Sequence, residues 1–87
     1  MKLRCKFVIN TVAGENIAVP VGKNCDFRGY IKLNSTGKDI FAALEKDTDR
    51  EKIIALLQKK YPEAKNGELA ESVDGIIAKL TQAQLLI

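Results

Sequence analysis

Hydrophobic and polar positions alternate with a period of two along the first part of the chain. Over residues 2–12, Leu3, Cys5, Phe7 and Ile9 fall on one face, and Lys2, Arg4, Lys6 and Asn10 on the other. That alternation predicts a half-buried strand. Ala13, Gly14, Glu15 and Asn16 have turn chemistry, after which Ile17, Val19 and Val21 alternate again, so the two runs predict a hairpin. Pro20 has no amide donor and belongs near a strand end or on an unpaired side. A loop over residues 22–26 leads to a third short strand over about 27–33. There Phe27, Gly29, Ile31 and Leu33 share one face and Arg28, Tyr30 and Lys32 the other. Charged outer residues suit a sheet edge, which they protect from indiscriminate pairing.

After Leu33 the period becomes helical. Asn34 or Ser35 can cap a first helix running to about Lys46, with Ile40, Phe41 and Leu44 as its apolar residues. Gly37 in its first turn costs helix stability and implies close backbone packing. Thr48, Asp49, Arg50 and Glu51 spell a capping box, so a second helix is expected from Asp49, burying Ile53, Ile54 and Leu57. It ends near Tyr61, because Pro62 disfavours helical geometry at the residue before it. A third helix over about 68–82 carries Leu69, Val73, Ile76, Ile77 and Leu80 as one stripe. Leu85, Leu86 and Ile87 form an apolar tail expected to pack back on the core. Strands grouped before helices indicate an α+β fold: an N-terminal three-stranded antiparallel sheet followed by a three-helix bundle, winged-helix-like.

The chain has 87 residues, 46% hydrophobic and 29% charged, with a formal net charge of +3. This is the size of a single small domain (residues 1–87), which buries about 60–65% of its unfolded surface. No apolar run reaches membrane-spanning length. Lys2, Arg4 and Lys6 interrupt what would be the apolar region of a signal peptide, so a cytoplasmic location is expected. The positive charge is dispersed and does not call for nucleic acid.

With no histidine in the sequence, Ser–His and Cys–His nucleophile pairs are excluded and the commonest general base is absent. Cys5 and Cys25 lack zinc-site spacing. They are expected as small, buried, reduced thiols, with a disulfide open if their segments lie close. There is no phosphate loop or dinucleotide motif. Asp47/Asp49 and Glu68/Glu71 read as helix N-terminal charges, and Lys59, Lys60 and Lys65 as a solvated helix end. Lys2, Arg4, Lys6, Arg28 and Lys32 can form a basic outer sheet face. The expectation is a non-enzyme that needs no cofactor or metal.

The run Gly29-Tyr30-Ile31-Lys32-Leu33-Asn34-Ser35-Thr36-Gly37-Lys38-Asp39-Ile40-Phe41 resembles the core signature of the PqqD family. A Thr-capped second helix, the segment Val73-Asp74-Gly75-Ile76-Ile77 and the apolar close are similar to the later elements of that family. Ser72, Gln84 and Lys38 depart from its usual acidic, glycine and small residues. The resemblance implies a RiPP recognition element, a peptide chaperone that binds the leader of a ribosomally made precursor. It would present that leader to a modifying enzyme such as a radical SAM maturase, in cofactor or peptide biosynthesis. The leader would add as a strand along residues 28–32, in a groove shared with the third helix. This implies a site of Arg28, Gly29, Tyr30, Ile31, Lys32, Ser72, Ile76 and Lys79. Ile31 and Ile76 would line an apolar pocket, and Arg28, Lys32 and Lys79 would favour acidic leader residues.

Two other readings fit the same layout. A winged helix-turn-helix binding nucleic acid would need basic and amide residues on its recognition helix, whereas the third helix carries Glu68, Glu71 and Asp74 beside Lys79 and Gln82. An adaptor could instead pair through the third strand as a weak homodimer rather than a monomer. The sequence names neither the precursor, the partner enzyme nor the product.

Overall fold

The computed structural model describes all residues except 23, 24, 26 and 28. The elements follow in the order β1 (Lys6–Val12), β2 (Glu15–Val21), β3 (Ile31–Leu33), α1 (Ser35–Ala43), α2 (Arg50–Lys60) and α3 (Asn66–Gln82). The three strands form one antiparallel sheet in the order β1-β2-β3. The three helices pack on one another, and α1 packs on β3. The fold is therefore the α+β arrangement expected from the grouping of strands before helices.

Ala13 and Gly14 make the hairpin turn. Both have positive φ (51° and 80°), which a two-residue turn of the primed type requires to match strand twist. The register pairs Phe7 with Pro20, Ile9 with Ala18 and Val8 with Val19. Phe7 and Ala18 therefore share the inner face and are buried. The apolar set of β2 lies on the opposite face from that of β1: Ile17, Val19 and Val21 sit outside with Val8, and small Ala18 faces the core. The ladder to β3 ends at Ala18–Ile31, so Pro20 lies beyond it and needs no amide on that side.

β3 is shorter than the expected 27–33. Gly29 has φ +105°, which breaks the extended run two residues before Ile31. Residues 2–4, expected within the first strand, pair instead with the C-terminal tail: Leu3 bridges Leu86, and the Lys2 and Ile87 backbones exchange hydrogen bonds at 2.8 and 2.9 Å.

Cys5 and Cys25 are joined as a disulfide with a Cα–Cα distance of 5.5 Å, which corrects the expectation of two reduced thiols. The cause is the register. Lys6 pairs with Val21, so residue 5 lies beside the chain as it leaves β2. Phe27 follows and stacks, tilted, on Phe7, which meets Phe41 of α1 edge-on at 5.4 Å.

Helix ends follow local chemistry. Asn34 caps α1, its Oδ1 accepting from the Gly37 amide at 2.7 Å. The α2 cap is Asp49, which accepts from the Lys52 amide at 2.9 Å, one residue after the Thr48 expected to serve. α3 ends in a Schellman arrangement: the amides of Gln84 and Leu85 donate to the carbonyls of Thr81 and Leu80 at 3.0 and 2.8 Å. Gln84 takes the left-handed conformation there, φ 59°. The turn drives Leu85 into the core beside Leu80, while Ile87 stays exposed. Ile40, Phe41, Leu44, Ile53, Ile54, Leu57, Leu69, Val73 and Leu80 are buried as their helical spacing predicts.

Candidate functional site

Antiparallel pairing decides which backbone groups of β3 are free. The pair Val12–Glu15 closes the two-residue turn and is hydrogen-bonded, and bonded pairs then alternate along the ladder. Asn16 and Ala18 of β2 therefore face β3 and bond Leu33 and Ile31. The N–H and C=O of Lys32 between them point away from the sheet. Among the described residues no backbone hydrogen bond reaches those groups from any other segment. The apolar tail does not cover them, because it pairs with residues 2–4.

Beside this free edge lie two hollows bordered by α3. One, of about 470 Å³, is lined by Lys32, Asn34, Ile76 and Lys79 together with Glu15 and Asn16. The other, of about 200 Å³, is lined by Asn34, Gly37, Glu71, Ser72, Ile76 and Lys79. Gly37 sets the approach of α1 to α3: a Cβ there would lie 3.2 Å from Leu33 Cδ2 and 3.3 Å from Ile76 Cδ1. Its lack of a side chain lets Ile76 settle between the helices, half-buried.

The charges around these hollows are mixed. Lys32 Nζ lies 3.7 Å from Glu15 Oε2, and both side chains are exposed, so the pair contributes little. Glu71 stands on the α3 side of the smaller hollow with Lys79. Glu15 and Glu71 thus stand beside Lys32 and Lys79, two of the residues implied to favour acidic leader residues. Arg28 lies outside the described residues.

Of the implied site residues, Lys32, Ser72, Ile76 and Lys79 come together around the two hollows. Ile31 is half-buried and packs against the core. Gly29 and Tyr30 are exposed just before β3, and neither lines a hollow. The structure adds Asn34, Glu15 and Glu71. Asn34 was legible only as a helix cap, and its place at the junction of β3 and α1 is what brings it to both hollows. Glu15 was hidden because only strand register carries it next to Lys32.

A separate polar node ties α1 to α2. Half-buried Asp39 accepts from Lys60 Nζ at 2.7 Å and from Tyr61 Oη at 2.6 Å. Burial raises its pKa, but the bonds from Lys60 and Tyr61 outweigh this and hold it below the ordinary value. At the other end of the bundle Arg50 clamps Asp74 with two bonds, of 2.6 and 3.1 Å, tying the start of α2 to α3. That hydrogen bonding lowers the Asp74 pKa. Among the described residues no three His, Cys, Asp or Glu side chains gather as a metal-holding group. No described helix is long and apolar enough to cross a membrane.

A family model described as coenzyme PQQ synthesis protein D (PqqD) matches residues 20–86. No curated protein and no solved structure matches the chain.

Proposed function

Since the chain belongs to the PqqD family, matched from β2 to the C-terminal tail, we propose that it works in coenzyme PQQ synthesis or a similar peptide-modification pathway, as a non-catalytic binder of a precursor's leader. The leader adds in extended form to the free edge of β3, and a separate modifying enzyme, such as a radical SAM maturase, acts on the peptide held there. The observation that carries this reading is the outward-facing N–H and C=O of Lys32 beside hollows shared with α3. An added strand satisfies such groups with generic backbone bonds, and alternate side chains enter flanking pockets for selectivity.

Ile76 supplies apolar contact, Lys79 and Lys32 attract acidic leader residues, and Ser72 and Asn34 offer hydrogen-bonding groups. Glu71 and Glu15 disfavour an unbroken acidic run, so an acidic–apolar alternation suits the groove better. The short β3 gives few ladder bonds, so side-chain contacts to α3 carry a large share of the affinity. A cytoplasmic site of action fits such a pathway, and there the Cys5–Cys25 pair would meet reducing conditions. Nucleic acid is the poorer reading, because Glu68, Glu71 and Asp74 lie along α3 and would face phosphates.

Titrating the isotope-labelled domain with the leader of a precursor encoded beside it tests the reading. Binding with shifts concentrated at Lys32, Ser72, Ile76 and Lys79 is expected. No binding, or shifts confined to the far side of α1 and α2, would overturn it.

A further inference from the structure

The sheet has a second free edge, and its residues differ from those of β3. β1 spans Lys6–Val12 and, among the described residues, pairs only with β2. By the alternation set at the hairpin turn, its even-numbered residues bond β2, while Phe7, Ile9 and Thr11 turn their N–H and C=O outward. Among the described residues nothing else bonds these groups. The edge is seven residues long, contains no proline and carries a single charge, Lys6. Edges of that kind pair readily with another strand.

We propose that this edge is a self-association surface, and that two copies of the chain pair β1 to β1, antiparallel, about a two-fold axis at Ile9. This goes beyond the peptide-binding reading and uses the opposite side of the sheet. The register follows from arithmetic. Full overlap of the two strands sets residue 6 against 12, 7 against 11, 8 against 10, and 9 against itself. In that same register the outward-facing residues 7, 9 and 11 meet one another, as hydrogen bonding demands. Overlap and bonding parity therefore coincide.

The charges also agree. Each Lys6 falls opposite an exposed, uncharged Val12 of the other copy, and the two lysines stand at opposite ends of the paired strands. β3 lacks this property: it has three residues, and self-pairing centred on it would set Lys32 against Lys32, a destabilising pair. One edge is thus suited to a copy of itself and the other to a guest. Side chains fit as well. Half-buried Ile9 meets its own copy on the inner face, and Val8 and Val12 extend the aliphatic outer face formed with Ile17, Val19 and Val21. The helices cover the inner face of the sheet, with Phe41 of α1 against Phe7 of β1, and leave the outward-facing backbone groups of β1 unbonded among the described residues. A single pair of seven-residue strands makes a small interface, so the dimer is weak and depends on concentration.

Sedimentation velocity of the whole chain from micromolar to millimolar concentration, with Val12→Lys and Val12→Glu variants, tests the proposal. Val12 is exposed and pairs with Glu15 across the hairpin, so Val12→Glu loosens the hairpin end slightly, and circular dichroism of both variants checks that the fold is kept. The wild type should shift reversibly from monomer to dimer. Val12→Lys places like charges opposite at both ends of the seam and should weaken the dimer about three- to tenfold, and Val12→Glu should tighten it by a similar factor. A wild type that stays monomeric throughout, or a dimer that responds alike to both charges, overturns the proposal. Either result leaves the binding of a leader at β3 untouched.

Discussion

Opening the Cys5–Cys25 bond should cost the domain a large part of its stability. The bond links positions 20 apart in sequence and encloses the whole β1–β2 hairpin. The chain-entropy relation assigns about 3.3 kcal/mol at 25 °C to a loop of roughly 20 residues, through restriction of the unfolded chain. A domain of this length has in total on the order of 4–13 kcal/mol, so a quarter or more is at stake. At about 4–8 °C per kcal/mol for this size, the melting midpoint should fall by roughly 13–26 °C. Native contacts change little, because Phe27 can still stack on Phe7. The assay is urea and thermal unfolding of the oxidised protein, the dithiothreitol-treated protein and the Cys5→Ser/Cys25→Ser variant. The last two should coincide, lose about 3 kcal/mol, and show a steeper urea dependence because the unfolded chain is less compact. A loss below about 1 kcal/mol in both would refute the argument that the staple constrains the unfolded hairpin.

Three further outcomes are expected. Gln84→Gly should raise stability by about 1 kcal/mol in urea unfolding, since glycine adopts the left-handed position closing α3 without the strain a side chain incurs there. Ile76→Ala should cost little stability, about 1 kcal/mol, but weaken leader binding about tenfold by calorimetry, whereas Leu80→Ala on the buried side of α3 should cost about 2–5 kcal/mol. For Asp39 the folded pKa lies below the unfolded one, so its contribution is present above about pH 4 and is lost as pH falls through the lower, folded value. The stability difference between wild type and Asp39→Asn should therefore be constant at neutral pH and shrink only in acid.

Element order and type were legible because each rested on periodicity that one sequence carries. Ile40, Phe41 and Leu44, or Ile53, Ile54 and Leu57, recur at helical spacing and are buried accordingly. Features set by long-range register were not legible. The face of β2 is decided by which of its residues opposes Ile9. Its own alternation offered Ile17, Val19 and Val21, while the fold buries Ala18. The disulfide has the same origin: Cys5 and Cys25 become neighbours only once Lys6 is set against Val21. The length of β3 turned on Gly29, where a permitted positive φ ended a run that looked continuous. Within the candidate site, the family resemblance pointed to Ser72, Ile76 and Lys79, and the structure sets these three around one hollow. Glu71 was read only as a helix N-terminal charge and Glu15 only as a turn residue, because charge was read along the chain and not across the groove. Gln84 was visible as a departure from the family's glycine, and the structure supplies the reason that position favours glycine.

The central claim is that the backbone of Lys32 is free in the unliganded domain and becomes paired when a leader binds. Residue-resolved amide hydrogen exchange measures this directly. The account predicts fast exchange at Lys32 beside protected Ile31 and Leu33 in the free protein, and strong protection of Lys32 once leader peptide is added. Slow exchange at Lys32 without peptide, or no change there when peptide binds, would contradict it.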